Sequence, residues 1–168
     1  MLMTAVAASA EPVSDGWTSL RATAPPTSPV SVRLSGPQAL LICYADLMKV
    51  PADLALALAE VESAFNPNAV SKKNARGILQ VLPNTARQYR LNPERLLELE
   101  YGTYAGLVIV RDLLNRFPVE AALAGYFAGG EFYVQRYSQK TQKDIGGYVQ
   151  KVLDRRRKYQ EISFTGCR

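Results

Sequence analysis

From Gln38 onward the apolar residues recur with the three-and-four spacing of helices, not with the alternation of strands. ALLICYADLMKV predicts a first helix that ends before Pro51, a residue excluded from helix interiors but suited to a first turn. A second helix is predicted from Ala52 to Ala64, stopped by Asn66-Pro67. SKKNARG reads as a loop, and ILQV as either a helical turn or a short strand. Pro83-Asn84-Thr85 opens a helix through Tyr89, and Asn92-Pro93-Glu94 starts another. Thr103 to Phe117 is a long amphipathic helix, and Val119 to Phe127 a shorter one with Gly129-Gly130 as its stop. The last helix is predicted from Gly147 to Glu161. The expected fold class is therefore mainly α, with little or no β structure. Ahead of it, residues 11–36 are rich in Pro, Ser, Thr and Gly and predict a linker or arm, leaving 37–168 as the folded domain.

The second helix carries two carboxylates, Glu60 and Glu62, which are two positions apart and so face different ways. At about 100° per residue, Glu60 returns to the direction of Asp53, and the two mark a polar stripe. Glu62 falls about 180° from that stripe, in line with Leu54 and Leu58. A carboxyl on an apolar face loses hydration, holds its proton more tightly, and can serve as a general acid near neutral pH. Two other readings stay open: an ion pair with an Arg or Lys, or a helix end that lets the carboxylate reach water. Ser63 could cap the following turn or orient the carboxyl.

Composition narrows the chemistry. The 168 residues, 48% hydrophobic and 21% charged, are globular in character and default to one domain. The chain has no histidine, which removes Ser-His-Asp and Cys-His catalysis and every histidine metal site. Two cysteines are too few for a thiolate zinc site, and no Gly-rich phosphate loop is present. Any chemistry must come from carboxylates, hydroxyls, amides or tyrosines, with no metal or cofactor expected. The net charge of +5 suits anionic surroundings, but no nucleic-acid-binding motif accompanies it, and RRRKY reads as a solvated helix end. No segment has the roughly 18 continuous apolar residues of a transmembrane helix.

Residues 1–10 end in Ala8-Ser9-Ala10, the small-x-small pattern of signal-peptide cleavage, although the run is short and lacks a positive start. Either the true start lies upstream or the run is not a signal. Export to the periplasm or beyond is the expectation, and Cys43 with Cys167 would then close a long loop as a disulfide; two unpaired thiols are the alternative.

Glu62 stands at the head of an ordered set of motifs. ESAFNPNAVS is followed by ARGILQVLPNTA, then AALAGYFAGG, then GGYVQKVLDRRRKY. Over about residues 40–160 this order resembles the soluble lytic transglycosylase family, whose catalytic domain is lysozyme-like. The family's marks are a Glu-Ser pair ending a helix, a Gly-Leu-Met-Gln turn, an Ala-Tyr-Asn-Ala-Gly segment and a late Tyr-Val. The resemblance implies that Glu62 is the catalytic acid and base, with Ser63 as its partner. It places Gly77, Ile78, Leu79 and Gln80 in the turn that lines the sugar groove, Tyr126, Phe127, Ala128 and Gly129 in the third segment, and Tyr148 beside the carboxyl. Gln80 could offer amide hydrogen bonds to sugars, and Tyr126, Phe127 and Tyr148 flat apolar faces. Alone, Gln80 would read as a surface amide and the tyrosines as core. Three departures stand out: Phe127 replaces the family's Asn, Ile78-Leu79 replaces Leu-Met, and Asn74 stands where Gly is usual.

The implied function is a monomeric peptidoglycan lytic transglycosylase of the small type associated with secretion or conjugation machines, whose proteins would be its partners. A lysozyme-type hydrolase and a non-catalytic wall-binding protein are the alternatives.

Overall fold

The computed structural model describes residues 36–129 and 139–162, the side chains of 139–142 aside. The expected signal segment 1–10, residues 11–35 of the expected arm and Cys167 lie outside the described residues, while Gly36, the last residue assigned to the arm, opens the first helix. Six α-helices follow one another: α1 (Gly36–Leu47), α2 (Ala52–Ser63), α3 (Pro83–Gln88), α4 (Leu99–Arg116), α5 (Val119–Ala128) and α6 (Gln139–Gln160). Among the described residues there is no strand, only isolated bridges joining Arg76 to Val70 and Val81. No helix of the described residues is long and apolar enough to cross a membrane.

α2 is the axis of the molecule. Leu54 through Ala59 are all fully buried, so this helix has no wet face through its middle turns. It packs against α1 and α6, while α4 packs against α1 and α5. The alanines at 55, 57 and 59 let the neighbouring helices come close. Each of Leu54, Leu56 and Leu58 contributes about 1.5–3 kcal/mol by leaving water.

α2 stops in an unusual way. Ala64 and Phe65 both have left-handed backbones, φ 51° and 64°, and their amides bond back to Glu60 and Ala59. The helix thus ends one residue short of the predicted Ala64, at a left-handed cap built without glycine. Such a conformation costs a side-chain-bearing residue about 1–2 kcal/mol, and it turns the chain sharply just after Glu62 and Ser63.

Other boundaries moved as well: α1 runs from Gly36 to Leu47 rather than over ALLICYADLMKV, residues 39–50. α4 begins at Leu99 rather than Thr103, and the Thr103 hydroxyl bonds back to Leu99 O at 2.6 Å, tying that extra turn in. The helix expected at Asn92-Pro93-Glu94 is a single 3-10 turn, Pro93–Arg95, with Asn92 Oδ1 accepting from the Glu94 amide. α6 begins at Gln139, ahead of Gly147; packing on α2 overrides the roughly 1 kcal/mol that each glycine of Gly146-Gly147 costs a helix.

The basic run RRRKY is not simply a solvated helix end. Arg156 pairs with Asp53 at 2.7 Å and Arg155 with Glu60 at 3.3 Å, while the Tyr159 hydroxyl donates to Glu60 at 2.9 Å. The polar stripe of Asp53 and Glu60 is therefore the seam on which α6 docks. Arg157, one position on, is exposed and reaches only Asp154 of its own helix.

Candidate active site

The loop between α2 and α3 folds back on itself. Arg76 and Val81 exchange two backbone hydrogen bonds, of 2.9 and 3.0 Å, and enclose Gly77-Ile78-Leu79-Gln80 as a tight turn. Gly77 has φ 81° and lies so close to the Leu96 carbonyl that any Cβ there would collide with it. Asn74, in the place where the resembled family has Gly, adopts φ 63°, a conformation Asn tolerates better than most residues.

Three side chains from three motifs hold this turn by successive carbonyls. Gln80 Nε2 donates to Gly77 O at 2.9 Å and to Ala69 O at 3.0 Å. Ser63 Oγ donates to Ile78 O at 2.7 Å. The Tyr126 hydroxyl donates to Leu79 O at 2.6 Å. The Ile78 and Leu79 side chains are themselves fully buried in the core. The polar groups expected to meet sugar are thus engaged in shaping the wall of the site: the Ser63 hydroxyl faces the turn rather than the Glu62 carboxyl, and the Gln80 amide donors are spent on backbone.

Glu62 sits in the last turn of α2, partly buried. The Tyr148 hydroxyl, from α6, donates to Glu62 Oε1 at 2.5 Å. Burial pushes the Glu62 pKa up from 4.5 to about 6, against the opposing influence of the Tyr148 hydrogen bond and the Lys151 charge. Burial and the nearby carboxylate hold the hydroxyl protons of Tyr148 and Tyr126 well above the usual tyrosine range. Glu62 thus combines two of the readings left open: burial raises its pKa, while the helix end gives it access to the groove, and its side-chain hydrogen bond is to a neutral hydroxyl.

Glu62 opens onto a groove of about 620 Å³. Gln80, Tyr126, Phe127 and Gly129 line it as well, whereas Ser63, Gly77, Ile78, Leu79, Ala128 and Tyr148 do not. Among the described residues that line it, Glu62 is the only carboxylate. Phe127 lies over Tyr148 with ring centroids 4.5 Å apart and planes at 30°. The far wall was not read from the sequence. It includes Lys73, Thr85, Gln88, Tyr89 and Arg116, the last two tied together by Asp112, which accepts from Tyr89 Oη at 2.6 Å and Arg116 Nη2 at 2.7 Å. Thr85 lies near the end of the second motif, but Lys73, Gln88, Tyr89 and Arg116 lie outside the motifs; the loop before α3, α3 with its C-terminal end, and α4 bring them together.

Residues 40–148 match the family model described as the transglycosylase SLT domain. The chain belongs to that family. Curated relatives of this SLT domain include the membrane-bound lytic murein transglycosylase D of Escherichia coli K12, 37% identical over 67 residues, covering 40% of this chain and 15% of that protein. The membrane-bound lytic murein transglycosylase C of Glaesserella parasuis is 42% identical over 74 residues, covering 35% of this chain and 20% of that one. The 70-kDa soluble lytic transglycosylase from Escherichia coli shares the fold with a TM-score of 0.59 at 24% identity, over 72% of this chain and 23% of that one. An inactive glutamate-to-glutamine mutant of Slt from Pseudomonas aeruginosa does so with a TM-score of 0.58 at 20% identity, over 75% of this chain and 25% of that one. The SLT domain thus spans a quarter or less of the length of each of these proteins.

Proposed function

We propose that this SLT domain is a peptidoglycan lytic transglycosylase. One observation carries the reading: a lone carboxyl with a pKa of about 6 at the wall of an open groove. Glycosidases that use two carboxylates need the second across the scissile bond, and no other carboxylate lies among the described lining residues. A one-glutamate route fits the geometry. Protonated Glu62 gives its proton to the glycosidic oxygen between N-acetylmuramic acid and N-acetylglucosamine, and the bond to the anomeric carbon breaks. The N-acetyl group of the substrate stabilises the oxocarbenium-like state. Glu62, now ionised and held by the Tyr148 hydroxyl, takes the proton of the sugar's own 6-hydroxyl, whose oxygen closes the 1,6-anhydro ring. The net charge of +5 favours residence in an anionic cell wall.

The finer setting is part of the same proposal: a chain exported to the periplasm and acting as a monomer, opening the wall locally for a secretion or conjugation machine. The small-x-small sequence at Ala8-Ser9-Ala10 supports export.

Mass spectrometry of digested peptidoglycan tests the chemistry. Muropeptides with 1,6-anhydro ends are expected, and reducing ends alone would replace this reading with a hydrolase. Turbidity of cell walls should fall with the parent protein and not with Glu62→Gln. If both are inert while both pellet with the walls, a binding protein without catalysis is the better description.

A further inference from the structure

The groove beside Glu62 holds an aromatic residue whose exposure the catalytic scheme does not use. Phe127 is 46% exposed, and of the large exposed hydrophobic residues among those described it alone lines the groove. Three aromatics were candidates for contact with sugar, and the geometry separates them. Tyr126 packs into the core and directs its hydroxyl at Leu79 O. Tyr148 has its hydroxyl on Glu62, one ring face stacked on Phe127, and packs, partly buried, against the core. Tyr126 lines the groove as well, but of the three Phe127 is the one that is exposed there.

That face is held in place before any ligand arrives. Phe127 lies in the last turn of α5, ahead of the left-handed cap at Gly129, φ 89°, and its inner face is stacked on Tyr148. A ring fixed in this way loses little rotamer freedom on binding. An exposed phenyl in a wet cleft gains by covering its surface, and the C–H face of a pyranose fits a flat ring. Phenylalanine has no donor or acceptor, so recognition here does not depend on an amide.

We propose that Phe127 is a specificity-determining residue, its outward face a stacking platform for a sugar ring bound beside Glu62. The proposal rests on the peptidoglycan reading above and names the contact by which this chain grips the glycan next to the bond it cuts.

Calorimetry with chitotetraose, four β-1,4-linked N-acetylglucosamine units, tests it in the Glu62→Gln background, where turnover cannot blur binding. Adding Phe127→Ala or Phe127→Leu should weaken binding roughly tenfold, and Phe127→Trp should leave it within about twofold or tighten it. In the otherwise unmutated enzyme Phe127→Ala should raise KM for soluble glycan strands more than it lowers kcat. Because about half of the residue already faces solvent, thermal midpoints should stay near that of the parent. If the Ala and Leu variants bind within about twofold of their parent, the platform is overturned. If the Glu62→Gln protein does not bind chitotetraose while the unmutated chain still releases muropeptides, the platform fails and the transglycosylase reading stands. If there is neither binding nor release, both fail.

Discussion

At the scale of one residue, Glu62 couples proton binding to folding. Its pKa is 4.5 as an isolated group and about 6 in the folded protein, raised chiefly by burial. Between those values the folded state binds more protons than the unfolded one, so stability falls as pH rises through the window. The full loss is about 2 kcal/mol, reached above pH ~6. Glu62→Gln removes it: urea denaturation should find the variant more stable than the parent by about 2 kcal/mol at pH 8 and equal to it near pH 4. Activity, which needs the protonated acid, should decline as pH rises past about 6, the folded pKa. The Tyr148 hydroxyl favours the ionised form, so Tyr148→Phe should move that decline to higher pH in a pH–rate profile. The identity of this residue was legible from the helical period alone, because Leu54 and Leu58 define a face and Glu62 lies on it. The degree of its burial was not, since α5 and α6 supply the cover.

At the scale of elements, the turn at Gly77–Gln80 is gripped from α2 by Ser63 and from α5 by Tyr126. Removing either hydroxyl leaves a carbonyl without its partner, at a cost of about 1–3 kcal/mol. Ser63→Ala and Tyr126→Phe share one turn, so their double mutant should deviate from additivity by about 0.5–3 kcal/mol in a denaturation cycle. The seam between α2 and α6 depends on the pair Asp53–Arg156, whose two side chains are only 17% and 21% exposed. Asp53→Asn should destabilise the fold by about 1–3 kcal/mol and speed hydrogen exchange along α6. Here the sequence was legible in part. The period put Asp53 and Glu60 on one stripe, but no pattern within a helix tells water from an arginine about a hundred residues away. The 3-10 turn at Pro93 and the early start of α6 were missed for a related reason: local propensity decides little where packing decides.

At the scale of the molecule, the order of motifs identified the family, and the groove's far wall escaped because most of it lies outside the motifs. Lys73, Tyr89 and Arg116 meet only in three dimensions. The pairing of Cys43 with Cys167 remains a proposal at this scale; Cys43, on α1, takes part in a disulfide, and these are the only two cysteines of the chain. Reduction should lower the thermal midpoint by roughly 10 °C, measured by calorimetry with and without reductant. The Tyr148–Glu62 contact, finally, spans 86 positions of sequence. Its consequence is temporal. A growing chain carries its acid from the second helix onward, but the hydroxyl that holds that acid arrives with the last one. Until α6 docks, α2 lacks its main partner, the stripe of Asp53 and Glu60 faces water, and the carboxyl is an ordinary solvated one. On the proposed function, the acid therefore acquires the environment that raises its pKa only when α6 completes the fold.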